Sequence, residues 1–393
     1  MKHRLGSLAA AAALAALVVG PSAARAQITP AAGYTPPDDT PKVSVGGTIF
    51  ADYTYQMDPL TKDSDGNNVH TSGFNLQRAY INVTGSISHW VSFRITPDVV
   101  RVGPLTVGGA PVSVPGITGT LTYRLKYAYG QINFDDVMKG WWVRLGQQQT
   151  PFIDFMESIY RYRFQGTIFV DREGFLTSSD LGGSTRFIAP GNYFEVHAGV
   201  YNGEGYTNPE SNDQKAFQIR GTLRPAPNVD VLKGLRLTGF YDGDHYVRHA
   251  KKTRTDAALT FESPYVNAGG EYLWADDQNA SATKPVVKAE GYSVWANPKM
   301  PYHGDPNNPQ DHAVGEGWEM LLRYDNLRPN VDQPGHKKRY IGGISYWFPV
   351  TKAGIAAALL ADWEEVKYDG FLPGNANAKP TERRLALHTL FNF

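Results

Sequence analysis

Hydrophobic and polar residues alternate along most of this chain. Over 45–55, Val45, Gly47, Ile49, Ala51, Tyr53 and Tyr55 fall on one side, and Thr48, Phe50, Asp52 and Thr54 on the other. Over 77–87, Ala79, Ile81, Val83 and Ile87 alternate with Arg78, Tyr80, Asn82 and Thr84. The same period returns at 91–96, 217–224, 235–242, 266–274 and 318–325. A period of two marks β-strands, whose successive side chains point to opposite faces. Strands are expected at 43–57, 73–88, 89–98, 120–134, 140–149, 184–189, 193–202, 214–225, 234–243, 255–262, 265–275, 286–297, 315–326, 338–348, 354–367 and 382–393. That makes sixteen, with fourteen or eighteen open at this level of boundary definition. The fold class is all-β.

Alternation fits a soluble sandwich as well as a membrane barrel. Three features favour the barrel. The last strand carries Leu385, Leu387, Thr389, Phe391 and Phe393 on one face and stops on an aromatic residue. Such an end has the form of a sorting signal for outer-membrane insertion, with Phe391 and Phe393 as its core. Aromatic residues, among them Tyr53, Tyr55, Trp90, Trp141, Trp142, Trp274, Trp318, Trp347 and Trp363, gather near strand ends, where a membrane interface holds such rings. Long and short connections also alternate, as in bacterial barrels. The longest is 150–183. Only 298–314 breaks the rhythm, being long where a short turn belongs.

The N-terminus reads differently. Lys2, His3 and Arg4 precede an apolar stretch, Leu5 to Gly20, and Ala24-Arg25-Ala26 follows. This is the layout of a secretory signal peptide over 1–26. Pro-rich residues 27–42 form a lead-in, and 43–393 form the barrel. After residue 26 no apolar run reaches the roughly 20 residues of a spanning helix.

Composition narrows the classes. Among 393 residues there is no cysteine, which excludes a disulfide framework and thiolate chemistry. Formal net charge is zero, without the basic excess of a nucleic-acid binder. Forty Gly and 22 Tyr suit turns and a membrane-facing sheet.

Several segments, in order, resemble the phosphate-selective porin family of Gram-negative outer membranes. They are FNLQRAYINVTGSI (74–87), VRLGQQQTPFIDFMES (143–158), SSDLGG (178–183), VHAGVYNGEG (196–205), GGEYLWA (269–275), GEGWEMLLRYDNL (315–327) and the terminal RRLALHTLFNF. The resemblance implies a sixteen-stranded, homotrimeric outer-membrane porin whose third loop, here 150–183, folds inward. It implies passage of small hydrophilic solutes or anions such as phosphate, with lipid and the barrel-insertion machinery as further partners. No nucleic acid and no cofactor are implied.

Selectivity in a wide pore comes from rings of charge. The expected inward face carries Arg78, Arg94, Arg124, Lys126, Arg144, Arg220, Arg236, Arg323, Arg339 and Arg384. Acids including Asp52, Asp98, Glu195, Asp242, Glu271, Glu290, Glu319, Asp325 and Glu364 oppose them. The candidate constriction residues are Arg161, Arg163, Arg172, Asp154 and Glu157, and the loop holds no lysine. Catalytic and metal motifs are lacking: there is no G-x-S-x-G, H-E-x-x-H or P-loop. The alternatives are a non-conducting adhesin or structural barrel, a barrel hydrolase and, more distantly, a soluble sandwich.

Overall fold

The computed structural model describes residues 39–393, apart from 108–109, 115, 211, 280, 302–316 and 350–353. The expected signal peptide and most of the lead-in lie outside the described residues, as does most of 298–314. The barrel strands are Lys42–Asp58 (β1), Ser72–Ser86 (β2), Val91–Arg101 (β3), Leu121–Asn133 (β4), Trp142–Gln149 (β5), Ser179–Ile188 (β6), Phe194–Tyr201 (β7) and Ala216–Leu223 (β8). They continue with Arg236–His245 (β9), Lys251–Glu262 (β10), Val266–Asp277 (β11), Val287–Pro301 (β12), Gly317–Arg328 (β13), His336–Trp347 (β14), Ala356–Asp369 (β15) and Glu382–Asn392 (β16).

Each strand pairs antiparallel with its neighbours in sequence, and β1 pairs with β16 to close the ring. Closure leaves no edge with unpaired backbone groups, which is what lets a sheet stand in lipid. Two short hairpins, Thr61–Lys62 with Asn68–Val69 and Leu105–Val107 with Ala110–Val112, stand outside the ring.

Burial inverts that of a soluble sandwich. On β9, Leu237 and Tyr241 are exposed while Thr238, Asp242 and Asp244 are buried. On β13, Trp318, Met320 and Leu322 are exposed while Glu319, Arg323 and Asp325 are buried. Apolar side chains thus cover the outer face and charges the inner one. Only an apolar surround makes that pattern favourable. It excludes the soluble sandwich.

Some expectations need correction. Glu290 stands directly opposite Trp274 and pairs with Arg328 at 2.7 Å, so it shares the exposed face. Near the strand end both faces meet water, and polarity no longer marks the inside. Trp142 and Trp347 are buried on the charged face and leave the proposed aromatic girdle. β6 starts at Ser179, so the preceding connection runs over 150–178.

One irregularity re-aims side chains. The β3–β4 ladder steps from Thr96↔Tyr127 to Pro97↔Leu125, leaving Lys126 as an extra residue. Pro97 lacks an N–H for the ladder, and bulges are where strands tolerate proline. Lys126 and Tyr127 are consequently both buried, although they are consecutive.

The 150–178 connection carries two helices, Pro151–Ile159 (α1) and Phe169–Arg172 (α2). Pro151 occupies the first turn of α1, where its missing N–H costs nothing. Phe152, Ile153, Met156, Phe169 and Val170 are fully buried and share one apolar core with Phe240, Leu273, Trp295, Leu321, Trp347 and Leu360 of the wall.

Candidate functional site

The charged face divides into two sectors. In one, the 150–178 connection meets the wall and each arginine finds a carboxylate. Arg161 Nη1 donates to Glu319 Oε1 at 2.6 Å and stacks over Trp347 at 3.8 Å. Tyr162 donates to the other oxygen of Glu319 at 2.9 Å. Arg172 reaches both oxygens of Glu364, at 3.0 and 2.8 Å. Glu364 also accepts from Arg384 at 2.6 Å, from Gln165 at 2.9 Å and from Arg339. Glu173 takes Lys337 at 2.7 Å and Arg339 at 2.9 Å. Arg323 forks onto Asp325 at 2.8 and 2.9 Å and donates to the Thr167 carbonyl at 2.9 Å.

Within the connection Arg163 pairs with Glu157 at 2.7 Å. Burial pushes the Glu157 carboxyl above its usual range, against the pull of Arg163. Burial also lowers the Arg172 guanidinium to about 10, opposed by Glu364. It stays charged at neutral pH. Asp154 lies in the first turn of α1.

The second sector covers β2 to β6. Arg78 reaches Asp98 at 3.2 Å, and Arg124 lies 3.8 Å from the same carboxylate. Lys126 donates to Tyr80 at 3.1 Å and sits among the rings of Tyr80, Tyr127 and Tyr206 at 5.1 to 5.6 Å. Arg94 bonds Thr96 and Asn82 and lies 4.6 Å over Tyr127. Arg144 bonds Gln131 at 2.6 Å and stacks on Trp142 at 3.9 Å, with Arg186 at 5.3 Å from the same ring. Among the described residues, Arg94, Arg144 and Arg186 have no carboxylate within ion-pair distance. Amides, hydroxyls and rings orient them without cancelling their charge.

Of the remaining expected wall cations, Arg220 bonds Glu195 and the Pro151 carbonyl, and Arg236 bonds Glu262 at 2.6 Å. Tyr80 falls on the face the alternation gives it, beside Arg78, whereas Arg186, Tyr127 and Tyr206 are not among the expected site residues, and only the bulge at Pro97 could have flagged Tyr127. Ser184 Oγ lies 3.2 Å from His197 Nε2 and donates to Gln148. Among the described residues no carboxylate bonds that imidazole, so the pair lacks the third group of a nucleophilic triad. Phe391 and Phe393 are exposed on the apolar face.

A closed sixteen-strand antiparallel barrel with an apolar outer face and a charged inner one is a porin-type outer-membrane channel. The chain belongs to the phosphate-selective porin O and P family, whose model matches residues 43–249, just over half of the sequence. Solved structures share the fold. An anion-selective porin from Comamonas acidovorans is 12% identical with a TM-score of 0.56, over 90% of this chain and 100% of that one. The outer-membrane channel DcaP of Acinetobacter baumannii is 13% identical with a TM-score of 0.53, over 90% and 97%. OprB of Pseudomonas putida is 11% identical with a TM-score of 0.54, over 89% and 94%. No curated protein matches the chain.

Proposed function

We propose that this channel passes small anions, phosphate among them, and that the β2–β6 sector lines their path. One observation carries the reading. Arg78, Arg94, Arg124, Arg144 and Arg186 share that sector with only Asp98 and Asp180 as strand carboxylates among the described residues, and Asp154, Glu157 and Asp171 of the connection offset part of that charge and of the charge on the buried Lys126. A wall of net positive charge raises the local anion concentration, and guanidinium forks offer bidentate sites along the way.

In this reading the 150–178 segment lies within the barrel and narrows it. Arg161, Arg163, Arg172, Asp154 and Glu157 stand at that narrowing, where ion pairs largely neutralise the arginines. The remaining features are part of the same proposal: residues 1–26 direct export, the Phe391–Phe393 end is read by the insertion machinery, and three chains assemble in outer-membrane lipid. The role is diffusion without covalent chemistry. A refolded channel in a planar bilayer under a KCl gradient tests this. The reversal potential is expected on the chloride side, and added phosphate should lower chloride conductance. A reversal potential on the potassium side would overturn the anion reading.

A further inference from the structure

A cavity of about 360 Å³ opens in the β2–β6 sector, where β1 to β4 approach the short-turn end. Two ladder rows build its floor. Ser44 lies opposite Thr84, Thr84 opposite Arg94, and Arg94 opposite Tyr129. One step nearer the turns, Lys42 lies opposite Ser86, Ser86 opposite Ser92, and Ser92 opposite Gln131. Facing side chains in such a ladder stand only about 4.5–5.5 Å apart at Cβ. Four hydroxyls therefore form one patch beside the Arg94 guanidinium, the Lys42 ammonium and a half-buried ring. No carboxylate is among the described residues that line it.

Arg94 is held at Nε by Thr96 Oγ1 at 3.0 Å and at Nη2 by Asn82 Oδ1 at 2.9 Å. These bonds fix the plane of the fork and leave its charge uncompensated. A wall serving a bare inorganic anion needs charge alone. The hydroxyl patch calls for a solute that brings hydroxyls of its own. Serine and threonine both donate and accept, so they can replace water on a polyol without leaving a partner unmatched. Arg144 lies 4.7 Å over the Tyr129 ring, and the ring face away from it suits the C–H face of a pyranose. The volume falls within the usual range for small-molecule sites, about 300–1,000 Å³.

We propose that this recess is a subsite for sugar acids, with the carboxylate on Arg94 and the ring hydroxyls on Ser44, Thr84, Ser86 and Ser92. The inference rests on reading the charged face as the pore wall, and it names a solute class for that wall.

Three probes at matched ionic strength separate the contributions in single-channel recordings, added from the short-turn side. Glucuronate has charge and hydroxyls, cyclohexanecarboxylate has the charge and ring without hydroxyls, and glucose has hydroxyls without charge. Glucuronate is expected to interrupt the current at a concentration about tenfold lower than either control. The Ser86→Ala, Ser92→Ala double variant should raise the glucuronate concentration needed by about fivefold and leave cyclohexanecarboxylate where it was. Arg94→Gln should weaken both acids together. Equal potency of glucuronate and cyclohexanecarboxylate on the unaltered channel would overturn the subsite, as would an unchanged glucuronate response in the double variant. Failure of the anion reading looks different: the reversal potential moves to the potassium side. Calorimetric titration of the detergent-solubilised barrel with the same probes still reads the recess in that case, and absence of glucuronate binding there sinks it.

Discussion

Arginine does opposite work in the two sectors of the charged face. Where the 150–178 connection packs on the wall, Arg323, Arg339, Arg172 and Arg161 are each matched to Asp325, Glu173, Glu364 or Glu319. On β3, β5 and β6, Arg94, Arg144 and Arg186 are matched to hydroxyls, amides and rings. The supply of carboxylates explains the difference: Glu319, Asp325 and Glu364 stand on β13 and β15, whereas β2 to β6 carry only Asp98 and Asp180 among the described residues. A charge taken out of water without a counter-charge costs several kcal/mol, so a packed sector must pair its ions. Arg94, Arg144 and Arg186 are only partly buried, and hydroxyls, amides and rings stand where a carboxylate would. One residue type thus fastens the connection in one place and charges the pore wall in the other, and the partner decides which.

The largest effects are expected in the packed sector. Phe169→Ala removes a fully buried side chain from the shared core and should cost about 3–5 kcal/mol. A lowered urea midpoint of the solubilised barrel is the expected result, and an unmoved midpoint would deny that this sector is packed. Glu364→Gln comes next. Arg172, Arg339 and Arg384 then lose the carboxylate they share, with a penalty of about 3 kcal/mol. Limited proteolysis should cut the connection faster, and open-channel current noise should rise.

The open sector should answer in charge and hardly in stability. Replacing Arg144 and Arg186 together by Gln is expected to cost about 1 kcal/mol or less in the same urea titration. The reversal potential should nevertheless move toward potassium. A large loss of stability with unchanged selectivity would exchange the roles of the two sectors.

The smallest effect lies at the short turns, outside both. His89 holds Asp39 on one ring nitrogen at 2.6 Å and Asp136 on the other at 3.0 Å. The bond the ring donates to Asp39, with Asp136 assisting, raises the imidazole above its ordinary pKa of about 6.5. A group raised in the folded state stabilises fully below its unfolded pKa and loses that contribution as pH climbs through the folded value. Protection factors of the amides around Asp39, referred to intrinsic exchange at each pH, should therefore fall as pH climbs past the ordinary imidazole range. His89→Gln should abolish that pH dependence.

Much of the barrel was legible because period two is written residue by residue. Arg78, Arg220, Arg323 and Glu364 could be placed on one face from their own strands alone. Glu290 could not, since at a strand end both faces are wet. Trp142 and Trp347 misled because an aromatic near a strand end suits a membrane interface as well as a packed interior. The division into two sectors was hidden for a different reason. Whether an arginine is neutralised depends on partners such as Glu319 for Arg161, 158 residues away. Nothing local to either residue announces that meeting. The bulge at Pro97 was visible as a proline within a strand, but its effect, turning Lys126 and Tyr127 to one side, needs the ladder of the neighbouring strand.

The seam between β1 and β16 imposes an order in time. Phe393 exchanges backbone hydrogen bonds with Gly47 at 2.8 and 2.9 Å, and its ring lies where a Cβ on Gly47 would fall, 2.6 Å from the nearest ring atom. The other pairings join strands that are close in sequence and can form without waiting for a distant partner. This pairing joins positions more than three hundred residues apart, so it forms last. Until then the first strand waits with an open edge, exposed to capture by any other extended chain. The interval between release of the unfolded chain and closure of this seam is therefore the period in which the barrel depends on protection from outside itself.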